Sequence, residues 1–367
     1  MKKHIGIYIL FFVSAIISCN YNTDEDETEW DVSLSGQKLE IDEVDIYKYP
    51  RILVNDIFIS GNNDHYGSKI EKLSCQKSEL LFRFGKGHNE FQIMAFAKGR
   101  DNSLMLLNFP LVGDKPLSLT VVGTDSVGSM KDNTKWKKYD FSKLPPIRFS
   151  SQYFSSMSDS TILIGGAPYD AIGHILSIID FKNQKVYPLE YWPKDEVKCD
   201  SMIKMAVYAD NSRVFANGKG HYLYQCNNER FAFVFSIEGN KVKVIKELFS
   251  VYTDYAVDNS GENYKYNSLS TKALECTANN SNIYALLRDS NRKGEKLEKW
   301  KNPYIFGNIV QIYDWDGNKV KTVCLDKYGQ DLLVSEDNKT LYLLNLDYFE
   351  GDSKPEIWVY DISGLNL

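Results

Sequence analysis

A polar triplet that recurs along the chain, each time directly before a hydrophobic segment, is the feature that most constrains the fold. The triplets are Asp101-Asn102-Ser103, Ser158-Asp159-Ser160, Asp210-Asn211-Ser212, Asn279-Asn280-Ser281 and Asp337-Asn338-Lys339. Their first members are 57, 52, 69 and 58 residues apart. Asn, Asp and Ser side chains bond their own backbone and tolerate left-handed φ, so each triplet predicts a hairpin turn.

A second hairpin follows in three of these units, in the segments SIIDFKNQKVYPL, VFSIEGNKVKVI and IYDWDGNKVKTVCL. Two hairpins in each repeat of 50 to 70 residues are typical of a four-stranded propeller blade. Residues 51–60 are placed one repeat earlier, as an equivalent inner strand. Helical periodicity over twelve or more residues is absent from residue 31 onward. The sequence therefore predicts an all-β chain that forms a six-bladed β-propeller with four-stranded blades.

The two ends of the repeat region predict how the ring closes. After residues 340–346 the chain has one more strand-like segment, EIWVYDI, so the last blade lacks its outermost strand. Residues 31–46, which precede the first blade, are the natural supplier of that strand. We expect the N-terminal strand to pair with the C-terminal blade, because such pairing leaves no exposed seam.

The segment FGKGHNEF at residues 84–91 raises the question of a phosphate-binding loop. A dinucleotide loop needs a third glycine that opens a helix, whereas predicted strands flank this glycine pair on both sides. We instead expect Gly85 and Gly87 to supply positive φ where the outer strand of the first blade crosses to the inner strand of the second. Phe91 is expected to anchor this crossing in the core.

The N-terminus has the pattern of an export signal. Lys2 and Lys3 precede the apolar run IGIYILFFVSAIIS, which is too short for a stable transmembrane helix. The run ends in Ile16-Ile17-Ser18-Cys19, which resembles the lipobox of bacterial lipoproteins. Residues 1–18 are therefore predicted to be a lipoprotein signal peptide, with Cys19 as the site of lipid attachment, palmitate included. An ordinary cleaved signal with a chance cysteine is the alternative.

Residues 19–30 are predicted to be an acidic tether, and residues 31–367 the propeller domain. Five acidic residues between 24 and 29 repel one another and keep such a run extended. The run resembles the signal that sends lipoproteins of gut Gram-negative bacteria to the cell surface, although a plain spacer on a periplasm-facing lipoprotein fits equally. The sequence thus predicts a lipid anchor in the outer membrane, on either its surface or its periplasmic face.

The net charge argues against one class of partner. The chain carries −6, and loss of residues 1–18 removes two lysines and no acids, which leaves −8. An acidic surface repels phosphate backbones, so nucleic acid is not expected as a partner.

Taken together, the predicted blades, the lipobox and the strings FRFGKGHNEF and IYDWDGNKV resemble the TolB-like six-bladed β-propeller lipoproteins. Gly85, Gly87, Glu90 and Phe91 fall where that family has a glycine pair followed by an acid-Phe pair, and His88 stands where proline is common. The resemblance implies a propeller over about residues 40–365. It implies little about activity, because the family is known mainly by its architecture.

Motifs that carry chemistry are weak in this chain. The string DWDGNK places Asp314, Asp316 and Asn318 like the start of a calcium loop, but its glycine is fourth rather than sixth and strands flank it. A two-residue hairpin turn at Gly317 and Asn318 is expected instead. The histidines show no HxH or HExxH spacing, and no G-x-S-x-G occurs. No catalytic residue, metal ligand or cofactor is predicted.

Two polar insertions in the fifth repeat, at residues 254–268 and 288–304, are the predicted binding loops. Their aromatic side chains are amphipathic groups suited to sugar or peptide faces. They are Tyr255, Tyr264, Tyr266, Trp300 and Tyr304. The alternative is that these rings pack on their own blade. The leading hypothesis is a non-catalytic, membrane-anchored propeller that binds a protein, peptide or glycan ligand.

The main rival hypothesis is a calcium-dependent hydrolase of the six-bladed lactonase type, with its site in the central channel. The inner strands that would line this channel are predicted near FQIMAFA, SQYFSSM, MIKMAVYA, STKALEC and DLLVSED. In them only Glu275, Asp331 and Glu336 offer carboxylates, a small supply for a metal site. A purely structural scaffold in an outer-membrane assembly is a third hypothesis.

The cysteines after the anchor carry no metal-binding spacing. Cys75, Cys199, Cys226, Cys276 and Cys324 each lie in or beside an apolar segment. They are predicted to be mostly buried small hydrophobic side chains. One disulfide stays open in an oxidising compartment, with no pairing indicated.

Overall fold

A computed structural model provides the structure of the protein. It describes residues 29–39, 50–54, 57–60, 68–72, 78–84, 90–91, 93–101, 103–109, 117–143, 145, 147–171, 173–209, 212–226, 229–258, 263–266, 272–289, 306–345 and 356–367. Cys19, Cys75, Gly85, Gly87, His88, Trp300 and Tyr304 lie outside the described residues.

Short strands dominate the described chain. Two of them, β1 (Val32–Leu34) and β2 (Gln37–Lys38), precede the first blade. Blade one contains β3 (Pro50–Val54), β4 (Ile57–Ser60), β5 (Ser68–Lys72) and β6 (Ser78–Phe84), and the short β7 (Glu90–Phe91) runs parallel to β6. Residues 51–60 therefore hold an inner strand and the strand after it, where the sequence predicted a single strand.

Blades two and three share a continuous sheet. Blade two contains β8 (Ile93–Lys98), β9 (Ser103–Phe109), β10 (Leu117–Gly123) and β11 (Lys137–Phe141). A short helix, α1 (Val127–Lys131), and a 3-10 turn at Asn133–Lys135 lie between β10 and β11. Blade three contains β12 (Ile147–Ser158), β13 (Thr161–Pro168), β14 (Leu176–Asp180) and β15 (Lys185–Leu189).

A helix, α2 (Ser201–Ala209), leads into the second half of the chain. Blade four contains β16 (Ser212–Ala216), β17 (Tyr222–Cys226), β18 (Phe231–Glu238) and β19 (Lys241–Ser250), and a separate hairpin follows from β20 (Tyr255–Val257) and β21 (Tyr264–Tyr266). Blade five contains β22 (Lys272–Ala278), β23 (Ile283–Asp289), β24 (Gly307–Tyr313) and β25 (Lys319–Gly329). Blade six contains β26 (Asp331–Val334), β27 (Thr340–Asn345) and β28 (Glu356–Asp361), and a 3-10 turn at Ser363–Leu365 follows.

The blades stand around an axis. The first strand of each blade lies beside the first strand of the next blade, and β26 lies beside β3. Consecutive strands within each blade pair antiparallel. The predicted all-β propeller is confirmed by this arrangement. Among the residues that the structure describes, the strand pairing also agrees with a count of six four-stranded blades.

The N-terminal segment crosses the outer edges of two blades. β2 pairs antiparallel with β28 and gives blade six a fourth strand, as the sequence predicted for the chain ends. β1 runs parallel to β25 on the edge of blade five, a pairing that the sequence did not indicate. Gly36 joins the two strands, and a Cβ there would approach the buried ring of Tyr360 to 2.6 Å. Only glycine fits this crossing without moving that ring.

The inner strand of blade four differs from the prediction. The segment MIKMAVYA was expected to be that strand, but it forms helix α2, and β16 is the inner strand. Asp200 starts the helix, since its carboxylate accepts a 2.7 Å hydrogen bond from the Met202 N–H. Ile203 and Val207, four residues apart, are both buried on one helix face. The prediction was wrong because this nine-residue helix is too short for a twelve-residue window to detect.

The position of the polar triplet relative to the strands also differs in blade four. Four triplets lie in the turn between the first and second strands of a blade, as predicted. In the third triplet Ser212 is instead the first residue of β16, and Asp210 and Asn211 lie outside the described residues. The equivalent turn of blade four contains Asn217, whose side-chain oxygen accepts hydrogen bonds from the Lys219 and His221 N–H groups at 2.7 and 3.1 Å. Asn279 does the same for Ser281 and Asn282, both at 2.9 Å.

Two further turn predictions have clear outcomes. Phe91 is buried against Val54 and Phe96 and lies 6.0 Å from the Trp136 ring, so its predicted core position is confirmed. The turn between β24 and β25 is wider than the predicted two residues and runs from Asp314 to Asn318. The Asp314 carboxylate accepts hydrogen bonds from the Asp316 and Asn318 N–H groups at 2.9 and 2.8 Å, and this pattern holds the wider loop.

The described cysteines agree with the burial prediction in part. Cys226 and Cys276 are fully buried, whereas Cys199 and Cys324 are half-buried. Burial raises the pKa of the Cys276 thiol well above its usual value. Cys276 therefore remains a neutral thiol in the core of blade five.

Candidate functional site

A central channel contains a cavity of about 570 Å³. Inner strands of all six blades line it: β3, β8, β12, β16, β22 and β26. The cavity extends to the turns that join the first strand of a blade to its second. We call this end of the channel the mouth and define it by Lys98, Arg100, Lys219, Asn280 and Glu336.

The mouth carries mixed charge and amide groups. Lys98 of blade two forms an ion pair with Glu336 of blade six, and both side chains are partly exposed. Arg100, Lys219 and Asn280 are exposed. These groups offer donors and acceptors to a ligand without the cost of releasing a buried partner.

A cluster of buried charges lies on the inner strands, and we call it the axial cluster: Arg213, Glu275, Asp331 and Tyr153. The Arg213 guanidinium contacts the Glu275 carboxylate at 2.6 Å and the two Asp331 oxygens at 3.3 and 3.2 Å. Its central carbon lies 3.9 Å from the centre of the Tyr153 ring. These four side chains come from the inner strands of blades three to six, so the cluster ties four blades together.

Burial and charge act in opposite directions on Arg213. Removal from water lowers its pKa, but attraction by Asp331 and then by Glu275 outweighs this effect and raises the pKa overall. Glu275 also contacts Arg288 of the neighbouring strand at 3.5 Å. Two cations thus balance two carboxylates in the interior, which is the condition under which buried charges are tolerated.

The carboxylates that the calcium hypothesis needed are engaged by cations. Arg213 holds Glu275 and Asp331, and Lys98 holds Glu336. Within the described ranges, no three His, Cys, Asp or Glu side chains stand close enough together to hold a metal ion. His174 and His221 contact the carbonyls of Ala171 and Trp315, in different turns.

The three predicted binding aromatics that the structure describes differ in how deeply they are buried. Tyr255, Tyr264 and Tyr266 come together on the β20–β21 hairpin, with ring centres 6.5 Å apart for the first pair and 5.5 Å for the second. Tyr255 is 2% exposed in this structure, and its role as a ligand contact stays a prediction. Tyr264 and Tyr266 are half-buried against the core of blade four, and their role as ligand contacts stays a prediction.

A second buried ionic cluster surrounds the Asp195 carboxylate, and the sequence did not predict it. We call it the helix cluster: Asp195, Lys204, Tyr208 and Tyr255. Lys204 on α2 forms an ion pair with Asp195, and the Tyr208 and Tyr255 hydroxyls donate to the same carboxylate at 2.8 and 3.2 Å. The Lys204 ammonium also lies 5.4 Å from the Trp192 ring.

Burial, above all, raises the pKa of both tyrosines in the helix cluster. For Tyr208 the hydrogen bond to Asp195 adds to this effect, and for Tyr255 the contact with Cys199 and the Asp195 charge add to it. A charged lysine inside the apolar run of residues 202–209 was the available signal, because a buried lysine needs a partner. The partner itself lies nine residues earlier in an irregular connection.

Comparisons with known proteins are consistent in finding only distant similarity. No protein-family profile matches the chain, and no curated protein sequence matches it. The calcium-binding protein regucalcin from Agrobacterium tumefaciens is similar at 12% identity and a TM-score of 0.41, over 90% of this chain and 94% of that one. The Swd1 β-propeller domain of Myceliophteria thermophila is similar at 11% identity and a TM-score of 0.42, over 89% and 100%.

An oligogalacturonate lyase in complex with manganese is similar at 10% identity and a TM-score of 0.39, over 85% of this chain and 76% of that one. At such identity the ligands and activities of those proteins say nothing about this chain. None of the helices in the described part of the chain has the length and apolar character that spanning a membrane requires.

Proposed function

We propose that this protein is a lipid-anchored lipoprotein, similar to the TolB-like six-bladed propellers, that binds a polypeptide segment at its channel mouth without catalysing a reaction. The anchor is Cys19, and the location is the outer membrane. The observation that carries the binding role is the mouth itself, where exposed cations, an exposed amide and an ion pair surround a channel of about 570 Å³.

The chemistry of the channel favours a polypeptide ligand over a glycan. Peptide groups present both N–H donors and C=O acceptors, which the Asn280 amide and the charged side chains of the mouth complement. Sugar-binding sites commonly use an exposed aromatic face. Along the channel Phe96, Tyr153 and Phe154 are buried, Phe215 is half-buried, and Arg213 covers one face of the Tyr153 ring.

The calcium-dependent hydrolase is less well supported. A calcium ion needs six to eight oxygen ligands, largely carboxylate and carbonyl groups. The two buried carboxylates of the inner strands, Glu275 and Asp331, already accept the Arg213 guanidinium at 2.6 and 3.2 Å. A divalent cation would have to displace a buried arginine, which would then be left without a counter-charge.

The binding role is tested with a phage-displayed random peptide library and the purified chain that carries Cys19→Ser to keep it soluble. We expect enrichment of peptides whose affinity falls about two- to thirtyfold in the double variant Arg100→Ala, Lys219→Ala, because each exposed charge contributes about 0.2–1 kcal/mol. Asp170→Lys, at an exposed turn after β13, is the matched control and should leave binding unchanged. A glycan array run in parallel separates the two ligand classes.

Enrichment of no peptide, or of peptides that the mouth variants bind as well as the parent chain, would contradict the binding role. The anchor is tested separately by labelling cells with radioactive palmitate. Label should enter the native chain and be absent from Cys19→Ala, which should also move to the soluble fraction.

A further inference from the structure

The route by which the chain enters the propeller gives the mouth an orientation. Asp31 is held at the start of β1 by two hydrogen bonds: its N–H donates to the Thr322 carbonyl at 2.9 Å, and its carboxylate accepts from the Thr322 N–H at 2.6 Å. In the parallel pairing that follows, Val32 lies opposite Val323. The chain therefore joins the propeller beside the beginning of β25.

The beginning of β25 belongs to the same side of the propeller as the mouth. The turn that leads into it contains Trp315, whose indole N–H donates to the carbonyl of Asn279 at 3.0 Å, and Asn279 lines the channel in the turn of blade five. Strand direction agrees, because in a four-stranded meander the turn between strands three and four lies on the same side as the turn between strands one and two.

A second series of contacts leads to the same side through blade six. The Lys321 ammonium, one residue from Thr322, donates to the Leu365 carbonyl at 2.8 Å. Three residues before Leu365, the Ile362 N–H donates to the carbonyl of Lys339 at 2.8 Å. Lys339 belongs to the β26–β27 turn, which also carries Glu336 of the mouth.

We infer that the mouth faces the membrane to which the protein is anchored, and that its polypeptide ligand is presented by that membrane. The inference rests on the proposed anchor at Cys19. Eleven residues separate Cys19 from Asp31, and an extended chain spans at most about 3.3–3.6 Å per residue, roughly 40 Å in all.

The opposite orientation is hard to reach with a tether of that length. To place the far side of the propeller on the membrane, the tether would have to run back along the height of a blade. The eight-residue strand β13 rises about 26 Å at roughly 3.3 Å per residue. Only about 14 Å would then remain to reach the lipid surface, whereas the mouth-down orientation leaves the whole tether for that purpose.

The occupant that this orientation admits is a segment exposed by a membrane-embedded protein. A soluble peptide reaches a membrane-facing mouth only through the gap that the tether keeps open. A loop that projects from the bilayer enters the mouth directly. The exposed Asn280 amide and the exposed Lys219 ammonium then contact the backbone of that loop.

Energy transfer from the protein to a labelled bilayer tests the orientation. A p-azidophenylalanine replaces either Lys219 at the mouth or Tyr169, which is exposed in the turn after β13 on the far side. Each is coupled to the same donor fluorophore, and the lipidated full-length chain is reconstituted into vesicles with a headgroup-labelled acceptor lipid. We expect transfer from position 219 to exceed transfer from position 169 by about twofold.

The outcomes separate the orientation from the anchor. Equal transfer from the two positions, or greater transfer from position 169, would overturn the orientation while leaving the anchor and the binding role intact. Failure of the native chain to associate with vesicles, as expected only for Cys19→Ser, would overturn the anchor and the orientation with it. Peptide binding by the soluble chain is measured independently of both.

Discussion

The axial cluster and the helix cluster are both buried groups of charges, yet they join different kinds of structure. Arg213 sits among side chains from the inner strands of blades three to six. Asp195 lies in an irregular connection and binds a helix and the β20–β21 hairpin. The first cluster holds regular blades to one another, and the second attaches irregular segments to a blade. In both, charge replaces apolar contact where several elements meet.

The comparison predicts that loss of the central cation has the largest effect on stability. Arg213→Met leaves Glu275 and Asp331 without the cation between them, and loss of one partner of a buried ion pair costs about 3–5 kcal/mol. Denaturant unfolding measures the change in free energy of unfolding. The matched control is Arg100→Met at the exposed mouth, which should change it by less than about 0.5 kcal/mol. Equal effects of the two variants would show that the axial cluster does not hold the blades together.

The helix cluster is expected to be less sensitive. Asp195→Asn removes the counter-charge of Lys204, but the amide oxygen still accepts hydrogen bonds from the two tyrosine hydroxyls, so we expect a loss of about 2–3 kcal/mol. The double variant Asp195→Asn, Lys204→Met should be more stable than Asp195→Asn alone, because it leaves no buried charge. A double variant less stable than both single variants would contradict this account of the cluster.

The two clusters should also differ in alkaline solution, because only the helix cluster depends on tyrosine hydroxyls. Burial raises the folded-state pKa of Tyr208 and Tyr255, so their contribution to stability is complete below the ordinary tyrosine pKa of about 10 and is lost as pH rises above it. Above pH 10 and below the folded-state pKa, each such tyrosine lowers the free energy of unfolding by at most about 1.4 kcal/mol per pH unit.

Absorbance of tyrosinate, followed against pH together with denaturant unfolding, measures this dependence. Between pH 10 and pH 11, Tyr208→Phe should make the free energy of unfolding fall less steeply with pH, because one of the contributing tyrosines is removed. Tyr187→Phe, at an exposed position of β15, is the control and should leave the slope unchanged. A slope that neither variant alters would exclude Tyr208 as a source of the alkaline loss.

The smallest effect on stability is expected at the mouth. Lys98→Glu places two carboxylates opposite each other, but the pair is partly exposed, so the cost should stay within about 1 kcal/mol. The charge-reversed double variant Lys98→Glu, Glu336→Lys should recover this loss. Peptide binding should change in the single variant far more than stability does, and a large stability loss would place this pair with the buried clusters.

The sequence predicted the repeating part of the fold well, because hairpin turns have local signals. Asn279 and Asp314 bond backbone groups only two to four residues away, so the residues that define these turns are adjacent in the chain. Helix α2 was not predicted, because nine residues give less than three turns of helical periodicity. Its N-terminal Asp200 was the local signal that could have been used.

The site was less predictable than the fold, because its contacts join distant residues. Arg213 and Asp331 are 118 positions apart, and no local pattern relates them. The predicted inner strands limit which carboxylates can lie near the axis, and Glu275, Asp331 and Glu336 were identified in this way. The cation between the first two was missed, because the inner strand of blade four had been placed ten residues too early and Arg213 was assigned to the second strand.

The pairing of β2 with β28 has a consequence for how the protein acquires its structure. Lys38 and Glu356, whose side chains meet at 2.7 Å in this pair, are 318 positions apart along the chain. The strand that completes blade six is thus synthesised 318 residues before its partner, and it cannot pair until the blades between them have been made. Closing so long a loop is slow, and the unpaired edges of β25 and β28 stay exposed meanwhile to other chains. Pairing of β1 with β25 and of β2 with β28 covers both of these edges when the ring is complete.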